Sequence, residues 1–170
     1  MTTKPFSKKL HARHDESAKK AAIEFILEVK GDVLELKTPL DEQPNMYGDY
    51  DFFMNRIESG EEIYFETEVK NNWDVHGKWV SSFPTLDVPS RKEESKADFY
   101  IMFNGSLDTL FISRMAVVQS CDRYFKRTEY TTNEEFFAVP VFRTQDDGKP
   151  YGSFYKKVNG QWEKMKGPKG

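Results

Sequence analysis

The sequence predicts an α/β (α+β) domain built on a mixed central β-sheet flanked by helices. Three observations carry this. Ala18, Ala21, Ala22, Phe25, Ile26 and Val29 recur at helical spacing within residues 15–30. Residues 63–70 alternate apolar and polar side chains, the period of a strand with one buried face. Two further apolar runs, 98–103 and 109–112, stand on either side of an Asn104-Gly105 turn signal. A chain of 170 residues can bury a sizeable core as one domain, and no repeat or linker divides it.

Taken in order, residues 1–13 read as a basic arm and 15–30 as a helix, with Gly31 as its C-terminal cap. Residues 33–37 form a short strand, and 38–48, with Pro39, Pro44 and Gly48, a loop. The strands 51–54 and 63–69 form a hairpin joined through Glu58-Ser59-Gly60-Glu61. Residues 71–96 lack a long helical period and read mostly as loop with one short helix. Strands follow at 98–103 and 109–112, then a helix over 115–125 and an extended segment over 136–142 around Pro140. The turn 146–150 leads into a small strand near 153–156. The core thus spans 14–113, with 114–170 a C-terminal extension ending in a basic tail.

Composition excludes several classes. One cysteine, Cys121, rules out an internal disulfide and a cysteine-based zinc cluster, and reads as a small buried hydrophobe. His11, His14 and His76 lack metal-site spacing, and no Gly-rich phosphate loop is present. No apolar run approaches the ~20 residues of a membrane span, and the polar N-terminus lacks a signal-peptide core, so the expectation is a soluble, cytoplasmic chain. Net charge is −3, yet positive charge concentrates at Lys4, Lys8, Lys9, Arg13, Lys19 and Lys20, and again at Lys156, Lys157, Lys164, Lys166 and Lys169. Such patches suit a phosphate backbone or simply solubilise the ends.

The run Ile63-Tyr64-Phe65-Glu66-Thr67-Glu68-Val69-Lys70 places Tyr64, Glu66, Glu68 and Lys70 on one strand face, opposite an apolar one. Seventeen residues before Glu68, Asp51 opens the apolar stretch Phe52-Phe53-Met54. Acid, strand, connection, strand, acid-x-lysine: this order resembles the PD-(D/E)XK (restriction-endonuclease-like) nuclease superfamily, with Tyr50 in place of its proline.

The resemblance implies a hydrolase of DNA phosphodiester bonds using Mg2+, with Mn2+ as substitute. Asp51 and Glu68 would be the metal-binding acids, the Val69 carbonyl a further oxygen ligand, and Lys70 the group that activates water and neutralises phosphoryl charge. Asp49 competes with Asp51, and Glu66 is either a neighbour of the metal site or a solvated strand residue. The acid that many members add from the first helix would be Glu16, with Asp15 beside it; either also suits a helix N-terminus. Trp79, Lys78, Lys92 and Lys96 lie where relatives contact DNA, with Trp73 and Phe83 nearby, Trp79 suited to stacking on bases. The size favours a structure-selective endonuclease of replication, recombination or repair; a homodimer is compatible with it. The alternatives are a non-catalytic interaction protein retaining a nuclease-like sheet, or an unrelated α+β protein in which Glu68 and Lys70 pair on the surface.

Overall fold

The computed structural model describes residues 8–44, 49–70, 85–126, 133–141 and 143–165, with side chains from residue 16 onward. Helix α1 spans Lys8–Lys30, so it begins seven residues before the sequence signal at residue 15. Its buried face is Ala18, Ala22, Ile23, Phe25 and Ile26, small residues at the start and large ones later. Gly31 ends the helix because a side chain there would meet the Leu27 carbonyl: an added Cβ would lie 2.2 Å from that oxygen.

The main sheet has seven strands in the order β1 (Leu34–Glu35), β2 (Phe52–Arg56), β3 (Glu62–Lys70), β5 (Phe99–Asn104), β6 (Thr109–Arg114), β9 (Ser153–Val158) and β10 (Gln161–Met165). Among these pairs only β3 and β5 run parallel. The hairpin expected from the sequence is present as β2 and β3, in register Phe52 to Phe65 and Met54 to Ile63. A second sheet of three strands, β4 (Thr85–Pro89), β8 (Glu134–Pro140) and β7 (Arg123–Lys126), lies in that order.

Two apolar cores follow from the period of the strands. One lies between α1 and the main sheet and holds Phe25, Ile26, Phe52, Phe65, Ile101, Phe103 and Trp162. The other lies between the main sheet, the second sheet and helix α2 (Met115–Gln119), and holds Tyr100, Met102, Phe111, Met115, Phe137 and Val139. The fold is therefore mixed α+β, but the expectation of helices on both faces needs correcting. One long helix covers one face, and a small antiparallel sheet with a five-residue helix covers the other.

Three further expectations are corrected. The helix expected over 115–125 stops at Gln119, and Arg123-Tyr124-Phe125-Lys126 is strand β7. Within 71–96 the expected short helix is present as the 3-10 helix Ser90–Glu94, but Thr85–Pro89, read as loop, is strand β4. Part of the expected basic tail is sheet: Lys156 and Lys157 lie on β9 and Lys164 on β10, both in the main sheet, while Lys166 and Lys169 fall outside the described residues.

Candidate functional site

Strand β3 brings the charged residues together. Glu66, Glu68 and Lys70 share the face that also presents Tyr64, and this face looks toward the second sheet. Continuing the β2–β3 register one step past the Phe52–Phe65 pair sets Asp51 opposite Glu66. The Asp51 backbone N–H donates to the Phe65 carbonyl at 2.8 Å. Its Oδ2 accepts from the Thr67 backbone N–H at 2.7 Å and from the Thr67 hydroxyl at 3.2 Å. Asp51 is thus held at the open end of the hairpin, with its carboxylate on Thr67.

Glu66 is the most enclosed of the acids. Its side chain is 4% exposed and forms an ion pair with Lys92 Nζ at 2.9 Å, a lysine itself only 16% exposed. Burial pushes the Glu66 carboxyl up, Lys92 pulls it back, and Asp51 and Glu68 push it up again. Burial by itself would lower the Lys92 ammonium, but Glu68, Glu66 and Asp51 outweigh it and the net shift is upward. Three carboxylates therefore act on one ammonium. Glu68 accepts a hydrogen bond from the hydroxyl of the fully buried Tyr100, and its Oε1 lies 3.7 Å from Arg91 Nη2. Arg91 Nη1 also reaches Glu134 Oε1 at 3.3 Å.

Lys70 ends the row. Burial lowers its ammonium, while Asp87 of the second sheet opposes that shift and Lys126 adds to it. Asp87, on β4, is held in turn by the Tyr124 hydroxyl and the Lys126 ammonium from β7. A desolvated lysine with a lowered pKa is a chemically poised group.

The 3-10 helix that carries Arg91 and Lys92 is held from its middle to just past its C-terminal end. The Gln119 side-chain amide donates to the carbonyls of Lys92, Glu93 and Ser95 at 3.0, 3.2 and 3.2 Å. The Ser95 hydroxyl and the Lys96 N–H both donate to the Asp49 carbonyl, at 3.0 and 2.9 Å.

The residues singled out from the sequence separate accordingly. Glu66, Glu68 and Lys70 share one face of the sheet, while the Asp51 carboxylate is held by Thr67, a residue that alternates to the other face. Asp49 does not compete for their place; it holds the 95–96 segment and lies 3.9 Å from Lys96 Nζ. Glu16 stands apart, 62% exposed and paired with Lys19 at 4.0 Å on the helix that covers the opposite face. The Val69 side chain packs toward that helix core. Lys92 is committed to Glu66, whereas the Lys96 side chain is 76% exposed. Lys78 and Trp79, with Trp73 and Phe83, fall outside the described residues. Among the described residues, no group of three or more His, Cys, Asp or Glu side chains is closed up around a common point suited to a metal ion.

Sequence reasoning missed Tyr100, Asp87, Arg91 and Lys126, and the pairing of Lys92 with Glu66. One signal was readable: Glu66 at the centre of an apolar strand has to be neutralised from elsewhere. The chain matches no protein-family model, no curated protein and no solved structure.

Proposed function

We propose that this protein is a metal-dependent endonuclease of the restriction-endonuclease-like kind, hydrolysing DNA phosphodiester bonds, with structure-selective cleavage the form its size suits. The observation that supports it is the row Glu66, Glu68, Lys70 on one face of β3, with Asp51 on the neighbouring strand and Lys92 paired with Glu66. Carboxylate oxygens are the donors a hard divalent ion such as Mg2+ takes, but the described residues do not bring three of them together around one point. Asp51 and Glu68 would hold the ion, with Glu66 adding charge and the Val69 carbonyl a further oxygen. When bound, it supplies Lewis-acid charge neutralisation and a more acidic water.

The chain's own residues contribute the rest. Lys70 offers a desolvated ammonium to the phosphoryl oxygens, where charge grows on the way to the transition state. Tyr100 and Thr67 keep Glu68 and Asp51 oriented, so less freedom is lost at the moment of reaction. Asp87 and Lys126, paired with each other on the second sheet, act on the charge of Lys70.

One observation favours the rival class, a non-catalytic interaction protein. Every acid of the row already has a partner within the chain, which is how a purely structural charge network is built. Cleavage of linear, single-stranded, flapped and four-way DNA in Mg2+ or Mn2+ separates the two. Wild type should cut at least one of these substrates. Lys70→Ala should lose about 10³-fold in single-turnover rate with binding retained. Cleavage by Lys70→Ala at the wild-type rate would remove the proposal.

A further inference from the structure

We infer that the cleft between the second sheet and the β9–β10 end of the main sheet binds a zwitterionic short peptide. Its carboxylate lies on Arg143, its ammonium toward Asp122 and Asp146, and an apolar side chain against Phe111 and Phe154. The cleft shares no residue with the charged row of β3, so this inference stands apart from the nuclease reading.

Two adjoining cavities, of about 430 and 130 Å³, form the cleft, and Pro140, Arg143 and Tyr151 line both. Together they have the size of a small-molecule site. Asp122, Asp146 and Asp147 stand on the wall of the larger; Phe111 and Phe154 floor the smaller. Both phenylalanines belong to the second core, whereas Val141, Tyr151 and Met165, packed against it here, are only partly covered. The wall is preformed. The connection from β8 to β9 is closed by the Thr144–Pro150 bridge, and the Gln145 side-chain amide donates to the Pro150 carbonyl at 3.0 Å. The Ser113 hydroxyl donates to the Tyr151 carbonyl at 2.5 Å, and Gly152 lies flat on Phe111, where an added Cβ would come 2.3 Å from the ring.

The charges decide the ligand. Among the described residues, the Arg143 guanidinium and the Asp122 and Asp146 carboxylates have no ion pair or side-chain hydrogen bond, although all three line one cavity. Opposite charges that share a wall without meeting are satisfied together by a ligand that carries both signs. A carboxylate suits the planar guanidinium, which offers it two parallel donors. An ammonium takes the acidic end, and the molecule between is short because both charges belong to the same cavity. A simple anion would face the aspartates, and a simple cation would face Arg143. An apolar side chain on the Phe111–Phe154 floor adds burial that neither charge supplies.

The test is amide NMR titration of the full chain with the dipeptide glycyl-phenylalanine. Saturable shifts should gather at Ser120–Asp122, around Ala138 and over Arg143–Tyr151. The N-acetyl form and the C-terminal amide of the same dipeptide each lack one charge, and each should bind about 10-fold more weakly. Arg143 is exposed, so Arg143→Ala should fold. It should weaken the dipeptide by about the same factor and leave the amide, which has no carboxylate for Arg143 to hold, unchanged. No saturable shift at the cleft, or shifts gathered elsewhere, overturns the inference. So does equal binding of the N-acetyl form, which would make the cleft a reader of carboxylate ends alone. Equal binding of the dipeptide by Arg143→Ala and wild type overturns the role given to Arg143 and with it the zwitterion.

Discussion

The two faces of β3 are written by alternate residues of one nine-residue strand, and they behave as different materials. Toward α1, Phe65 stacks between Phe52 and Phe99, with ring centroids 5.1 and 5.6 Å away, and the whole layer is apolar. Toward the second sheet, the same strand buries Glu66 and half-buries Glu68 and Lys70 among counter-charges from the 3-10 helix and from β4. The first arrangement gains from every ångström of surface removed from water. The second gains little, because desolvating ions costs about as much as pairing them returns. A strand that could have been apolar on both faces carries charge on one, and stability does not require it.

If this division is right, damage to the two faces should separate. Phe103→Ala, on the helix side, should cost about 3–5 kcal/mol of unfolding free energy while the folded fraction keeps its cation binding. Denaturant unfolding alongside Mn2+ titration reads both, and a loss of cation affinity with intact stability would break the comparison. Tyr100→Phe removes one hydroxyl from the charged side and leaves the ring. Its hydrogen bond to Glu68 predicts a smaller stability loss, about 1.5–3 kcal/mol, with a weaker response to Mn2+. A variant as stable as wild type with an unchanged Mn2+ response would mean Tyr100 does not hold Glu68.

The smallest effect concerns the layer over the charged face. Burial raises the Cys121 thiol to about 11 from its usual 9.0, with Asp122 adding to the shift and Arg143 opposing it. Only thiolate reacts, so at pH 8 alkylation by iodoacetamide should run roughly 100-fold slower than for an ordinary thiol. The rate should climb about tenfold per pH unit until it levels near pH 11. Fast labelling at pH 8 would show that α2 opens readily over this face.

Much of the hairpin and its chemistry could be read from local pattern. The alternation of 63–70 gives the faces of β3, and the helix of 15–30 follows from its apolar stripe. What escaped depends on contacts distant in the chain. Thr85–Pro89 reads as loop because Pro84 and Pro89 bracket it, yet it becomes strand β4 by pairing with β8, Pro89 opposite Phe136. Residues 115–125 look helical through Met115 and Val118, but Ser120 turns back onto the Val117 carbonyl at 2.6 Å, and Tyr124 and Phe125 suit a strand. Arg91 and Lys92 sit in a charge run that looks solvated; only the placement of an irregular 3-10 helix over β3 turns Lys92 into the partner of Glu66. The basic residues near the C-terminus looked like a phosphate-binding tail, and strand pairing, Lys156 opposite Glu163, makes part of them structural.

The seat of Trp162 bears on the order in which this molecule can be assembled. Its indole packs against Phe25 at 5.5 Å and Phe103 at 6.3 Å, and its backbone N–H donates to Glu28 on the first helix, a contact spanning 134 positions of chain. During synthesis the apolar stripe of that helix can meet β2 and β3 early, but the flank around Phe25 stays wet until the final hairpin has emerged and closed. Closures of such length are entropically slow, so the late stage should be rate-limiting and the nascent chain sticky in the interval.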